Sequence, residues 1–190
     1  MPIVMFLGRT VKEYEEKSAE IIAQHVNGGN IRCAHCLLPM TRHSSYLREI
    51  KETGDQIAIT MVWCKKCRSW HSLQPDFLLP HKHYSGNEIE SVLIDSATEA
   101  VNRIDTPASE STVRRWIKQT GARILQAVSI LKYLFGRAGQ ALNEVAIDPD
   151  SPYNELEEVL EMAPSTIKYS GNKLGLANIW LCTNSVPTHI

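Results

Sequence analysis

The sequence predicts an α+β fold, with small β-hairpins confined to the first 84 residues and helices filling most of the rest. Three observations carry this expectation. The run Ile57-Ala58-Ile59-Thr60-Met61-Val62-Trp63 has strand composition and leads straight into a Cys-x-x-Cys pair. From Ser85 onward the apolar residues recur at helical spacing. Asp148-Pro149-Asp150-Ser151-Pro152 then breaks that helical pattern. Three segments follow: residues 1–84, 85–147 and 148–190.

The first element is a short buried strand over residues 3–7. Thr10 is placed to cap a helix running to about Val26, because a hydroxyl there accepts from unpaired first-turn N–H groups. Val11, Tyr14, Ile21, Ile22 and Val26 fall on one side of it, and Asn27-Gly28-Gly29-Asn30 stops it. Thr53-Gly54-Asp55 makes a hairpin turn ahead of the strand that enters the second cysteine pair. Residues 72–84 hold Pro75 and Pro80 among aromatic and imidazole rings and read as an ordered connector. The helical pattern extends from Ser85 to about Ala146. A short acidic helix covers residues 154–162, and Pro164 precedes a last segment ending in Trp180 and Leu181.

Composition narrows the class. Of the 190 residues, 43% are hydrophobic and 22% charged, ordinary for a soluble globular protein. A formal net charge of −1 gives no global attraction to a polyanion or a membrane. No run reaches the roughly 18 apolar residues of a membrane span. The apolar start, Met1 to Gly8, lacks the charged leader and length of a signal peptide, so a cytoplasmic protein is expected. Charge is nevertheless segregated. Between 109 and 137, Arg114, Arg115, Lys118, Arg123, Lys132 and Arg137 stand against Glu110 alone. Between 138 and 162 every charged residue is an acid. A basic helix therefore lies beside an acidic one in sequence, and either they face each other or one faces a polyanion.

Four of the five cysteines form two pairs, Cys33-Ala34-His35-Cys36 and Cys64-Lys65-Lys66-Cys67. In a reducing compartment such pairs are metal ligands more often than disulfides. Two thiolates on a tight turn bind one tetrahedral zinc through adjacent vertices, at about 2.3 Å per Zn–S bond. The intervening residues 37–63 outrun the roughly 15–20 of the common pattern, but a hairpin absorbs added length without moving its ends. Lys65, Lys66 and Arg68 offset thiolate charge. Four cysteines close the coordination sphere, so the site is a structural zinc ribbon and not a catalytic centre. A redox dithiol is the weaker alternative. His35 or His71 could replace a thiolate, but with four cysteines present His35, His43 and His71 are expected as donors near sulfur or as packed rings. Cys182 stands in an apolar run and reads as an inert buried thiol.

A second pattern begins at Ser109, a suitable N-cap. Val113, Trp116, Ile117 and Ile124 would face a core, supported by Ile89, Val92, Leu93, Ala97, Val101 and Ile104 upstream. Ser111, Thr112, Arg114, Arg115, Lys118 and Gln119 are left on polar faces. Short hydroxyls at a helix start with long cations behind them suit contacts in a DNA major groove, as in the reading helix of a helix-turn-helix. A generic amphipathic helix with a solvated basic face is the plainer alternative.

These motifs, taken in order, resemble an uncharacterised bacterial family known as a domain of unknown function and often met near mobile elements. The matching residues are Cys33, Cys36, His43, Tyr46, Arg48, Cys64, Cys67, His71, Pro75, Pro80, Tyr84, Ser85, Thr112, Arg115 and Trp116. The resemblance covers roughly residues 1–120. It departs at His43-Ser44-Ser45, where His-Gly is expected before Tyr46, and at Ala34, where the first cysteine turn usually has proline. It implies a zinc ribbon with a helix-turn-helix, related to transposon DNA-binding regions, and supplies no activity.

The function expected is therefore a zinc-containing protein that binds double-stranded DNA, mobile-element-related or regulatory. Residues 109–119 would read, with Lys65, Lys66 and Arg68 adding backbone contacts. The alternative is a zinc-ribbon interaction adaptor that docks a protein partner, or a second copy, through the acidic 144–161 segment. An enzyme is not expected, although a truncated transposase relative would fit. A metal-dependent nuclease needs converging carboxylates, and no spacing among Asp76, Asp95, Asp105, Glu144 and Asp148 singles out a trio.

Overall fold

The computed structural model of the chain describes residues 2–137, 152–162 and 173–174. The described residues divide into two compact units, one running to Gly86 and one from Asn87 on. Cys182, Trp180, Leu181 and the acids from Glu144 to Asp150 lie outside the described residues.

In the first unit, β1 (Ile3–Met5) leads through Gly8 into α1 (Val11–Asn27). Thr10 is the N-cap, its side chain accepting from the Glu13 N–H at 3.2 Å, and Gly28 closes the other end. Tyr14, Ser18 and Ile22 are buried, four residues apart on one stripe. Three antiparallel strands follow: β2 (Thr41–Glu49), β3 (Gln56–Cys64) and β4 (Ser69–Pro75). β1 pairs parallel with β4, giving the order β1-β4-β3-β2. The core under this sheet includes Leu7, Tyr14, Ile22, Ile31, Met40, Ile57, Ile59, Val62 and Leu73. The Tyr14 hydroxyl donates to the Ala58 carbonyl of β3 at 2.8 Å and so ties α1 to the sheet.

Two features go beyond the sequence expectation. Residues 72–75, expected in a connector, belong to β4. Pro75 is tolerated there because it ends the strand, where no ladder donor is needed. The remaining connector is held by backbone: Lys51 N–H donates to His83 O at 2.8 Å and Gly86 N–H to Phe77 O at 2.6 Å. Arg48 of β2 anchors it further by donating to Gln74 Oε1 at 3.2 Å, to Leu79 O at 2.8 Å and to Lys82 O.

The second unit contains α2 (Gly86–Asp95), a short 3-10 turn at Val101–Arg103, α3 (Glu110–Arg137) and α4 (Pro152–Glu161). α3 packs on the 3-10 turn and on α4. Val113, Trp116, Ile124, Val128 and Leu131 are buried along α3, and Leu156, Val159 and Leu160 along α4. Thr106 donates to Glu88, and Tyr153 to Glu90. The helical pattern is interrupted: residues 96–109 form turns, the 3-10 segment and extended chain between α2 and α3. None of the helices among the described residues is long and apolar enough to cross a membrane.

Candidate metal centre

Each cysteine pair sits on a tight turn with the same local form. In the first, Leu37 N–H donates to Cys33 O at 2.8 Å and Cys33 N–H donates to Leu38 O at 2.9 Å. Leu37, the residue after the second cysteine, takes φ 59°. In the second, Cys67 N–H donates to Cys64 Sγ at 3.4 Å, and Arg68, again the residue after the second cysteine, takes φ 51°. β2 leaves the first turn and β3 returns to the second, with Thr41 opposite Trp63. The hairpin therefore brings its two ends together whatever its length, which accommodates the long gap between the pairs.

The sulfur atoms of Cys33, Cys36, Cys64 and Cys67 all lie within 4.8 Å of one another, so the four could hold a metal ion. All four are free, and Cys36 Sγ lies 3.5 Å from Cys64 Sγ. That is far beyond a disulfide of about 2.05 Å. It is near the roughly 3.8 Å edge of a tetrahedron drawn with 2.3 Å metal–sulfur bonds. Cys33 and Cys64 are buried, Cys36 is half-buried and Cys67 is exposed.

The thiols do not share protons evenly. Burial pushes Cys33 up, but the backbone amides of His35 and Cys36 and the thiols of Cys64 and Cys36 outweigh it, bringing Cys33 down to about 5. Cys67 goes the other way, to about 12, through its hydrogen bond to Cys36, some desolvation, and its hydrogen bonds to Cys33 and Cys64. One sulfur ionises readily and the last resists, as four close thiols must until a cation supplies opposing charge. The donor set thus fits a thiophilic divalent ion.

The histidines flank this cluster without joining it. His71 is buried, with Nε2 3.9 Å from Cys33 Sγ and 3.1 Å from Ser69 Oγ. That places the ring nitrogen within hydrogen-bonding reach of both atoms. His35 is exposed, its ring centroid 6.2 Å from that of His71. His43 sits on β2 against Trp70, with centroids 4.1 Å apart and the rings nearly perpendicular.

The basic candidates fall in two places. Lys65, Lys66 and Arg68 are exposed on the second cysteine turn. Ser111, Arg114, Arg115, Lys118 and Gln119 are exposed on the first turns of α3, and Thr112 is half-buried. The short hydroxyls turn back to the cap, with Thr112 Oγ1 2.9 Å and Ser111 Oγ 3.1 Å from Ser109 Oγ. Arg114 pairs with Glu110 at 2.9 Å. Ahead of α3, residues 96–109 stand where a helix-turn-helix has a three- or four-residue turn. The acidic and basic helices do meet: Lys132 of α3 and Glu155 of α4 pair at 3.3 Å, largely buried.

Sequence reasoning missed the tryptophans. Trp63 and Trp70 are cross-strand partners with ring centroids 4.3 Å apart, and Trp70 is 43% exposed. The signal was present, since one tryptophan precedes Cys64 directly and the other follows Cys67 by three residues. A tight turn between them forces the two rings opposite each other.

The fold and the cysteine cluster together define an α+β protein with four thiols gathered at the mouth of a hairpin, where they could hold a metal ion. Residues 33–116 match the family model described as a domain of unknown function, DUF6431. The match runs from the first cysteine of the cluster to buried Trp116 on α3, and so spans all four thiols, the sheet from β2 on, and α2. Comparison with curated proteins and with solved structures finds no match.

Proposed function

We propose that the chain is a nucleic-acid-binding protein in which a structural zinc ion closes the first unit and the start of α3 contacts double-stranded DNA. The zinc reading is supported by donor chemistry. Four thiols with hairpin-fixed spacing leave no open position, and zinc is the ion such a set commonly holds. It would serve the fold, since closed coordination offers no vertex to a substrate.

The DNA reading rests on one observation. α3 carries a single acid, Glu110, and exposes Arg115, Lys118 and Arg123 along its first half. In its far half Lys132 is paired with Glu155. Since Ser111 and Thr112 serve the cap, Arg115, Lys118 and Gln119 are the better candidates for direct contact, and Lys118 and Arg123 for phosphate. A mobile-element or regulatory role would follow from such binding. For an adaptor reading, the acidic helix keeps Glu158 and Glu161 exposed, while Glu155 is buried against Lys132 and Glu157 is engaged by Lys173.

The test is duplex binding across a salt series. Affinity should fall steeply with salt, because each neutralised phosphate releases counterions. Arg115→Ala with Lys118→Ala should reduce affinity and flatten that dependence. Binding that is absent, or indifferent to salt, would overturn the reading.

A further inference from the structure

We propose that the sheet of the first unit carries a separate site for single-stranded nucleic acid, in which unstacked bases rest on Trp70 and Trp63 while Lys65, Lys66 and Arg68 hold the backbone. This site is independent of the duplex reading of α3.

Three features on one structure point to it. Side chains alternate along a strand, so Trp63 and Trp70, opposite each other on β3 and β4, emerge on the same face. Their neighbours Val62 and His71 are buried on the other. His43 sits in the irregular register between Arg42 and Ser44, which brings its ring against Trp70. The result is a cluster of three rings, with Trp70 well exposed where an apolar core residue would be covered. Beside it, the turn joining these two strands presents three exposed cations.

Charge selects the occupant. Residues 28–48 and 56–75, which include the cysteine turns and all three antiparallel strands but for Glu49, contain no aspartate or glutamate. They contain Arg32, Arg42, Arg48, Lys65, Lys66 and Arg68. An apolar or proline-rich peptide would use the rings and make no use of the cations beyond their offset of thiolate charge. A duplex would use the cations but offers only base edges, its ring faces being already stacked. Single strands present both a phosphate backbone and free base faces. Aromatic stacking beside a basic groove is how such strands are bound without sequence preference.

The experiment uses the full chain, zinc-loaded, and a short oligothymidylate. Binding should quench tryptophan fluorescence and weaken with salt. Trp70→Ala should weaken it roughly 5- to 150-fold, the range that about 1–3 kcal/mol per stacked base converts to. Trp70→Phe, which keeps a stacking face, should retain most of the affinity. Lys65→Gln with Lys66→Gln should lower the salt slope by about 0.7 per lost phosphate contact. Equal binding by wild type and Trp70→Ala, or none by wild type, overturns the proposal. So does equally strong, Trp70-dependent binding of polyglutamate. Arg115→Ala with Lys118→Ala should leave oligothymidylate binding intact, so this site and the α3 reading can fail separately.

Discussion

Leu37 and Arg68 occupy equivalent positions in the two cysteine turns: each follows the second cysteine of its pair, and each has left-handed backbone, φ 59° and φ 51°. An L-residue there costs roughly 1–2 kcal/mol. Both side chains are exposed, so neither residue is kept for packing. The turn needs the positive φ because the chain must reverse directly after presenting the second sulfur. Glycine adopts that conformation without steric cost but has more freedom to lose on folding. Leu37→Gly and Arg68→Gly should therefore each stabilise the zinc-loaded protein modestly, by about 0.5–1 kcal/mol. A β-branched residue such as Leu37→Val should destabilise it. Urea midpoints measured at fixed zinc would show both signs, and a destabilising glycine would mean these turns are held by their side chains.

The metal prediction concerns the same turns from the inside. Cys64 ends β3, belongs to the buried core, and lies 3.5 Å from Cys36. Cys64→Ser should abolish stoichiometric zinc by elemental analysis. With no cation to offset crowded thiols, residues 31–71 should lose structure, as small metal-organised segments do. Chelation of the wild type should have the same effect and be reversed by zinc. Tryptophan emission from Trp63 and Trp70 reports it directly, since both flank the second turn.

The start of α1 supports a prediction on backbone fit and one on pH. Gly8 has φ 118°, and a Cβ there would come within 2.8 Å of Tyr14 N. Gly8→Ala should destabilise the protein by about 2 kcal/mol or more, because both the dihedral and the close approach demand glycine. Glu13 accepts the Arg9 N–H at 2.9 Å. That bond, with lesser attraction from Lys17 and Arg9, holds its carboxyl below the usual value of 4.5. A depressed carboxyl stabilises the fold above its unfolded pKa and loses that contribution as pH falls through its folded value. Glu13→Gln should therefore cost stability at neutral pH, with the gap from wild type closing below about pH 4.5.

Much of this was legible in the chain because it depended on local rules. The Thr10 cap, the Gly28 stop and the hairpin ahead of β3 each follow from residues a few positions apart, and the joining of the cysteine pairs follows from two repeats of one local spacing linked by that hairpin. The parallel pairing of β1 with β4 did not, because Ile3 and Leu73 meet across seventy residues and no local pattern encodes that register. Pro75 disguised the end of β4 as a loop. On α3 the pattern placed Arg115 and Lys118 on an exposed face, but it could not show that Ser111 and Thr112 would turn back to Ser109. Hydroxyls at a helix start have two plausible partners, and sequence spacing does not choose between them.

The meeting of the basic and acidic helices offers the last prediction. Lys132 and Glu155 are 17% and 8% exposed, so their attraction is less screened than on an open surface. Removing one partner leaves the other charge poorly solvated, which is costlier than removing both. Glu155→Ala should destabilise the protein by about 2 kcal/mol. Glu155→Gln should cost less, since the amide oxygen still accepts from the ammonium. Replacing the pair together, Lys132→Met with Glu155→Leu, should restore most of the loss because both side chains are largely buried and apolar groups there need no partner. A double-mutant cycle by thermal or urea unfolding measures the coupling. Additive losses would show that the two charges are solvated separately and that the apposition of α3 and α4 depends on their apolar stripes alone.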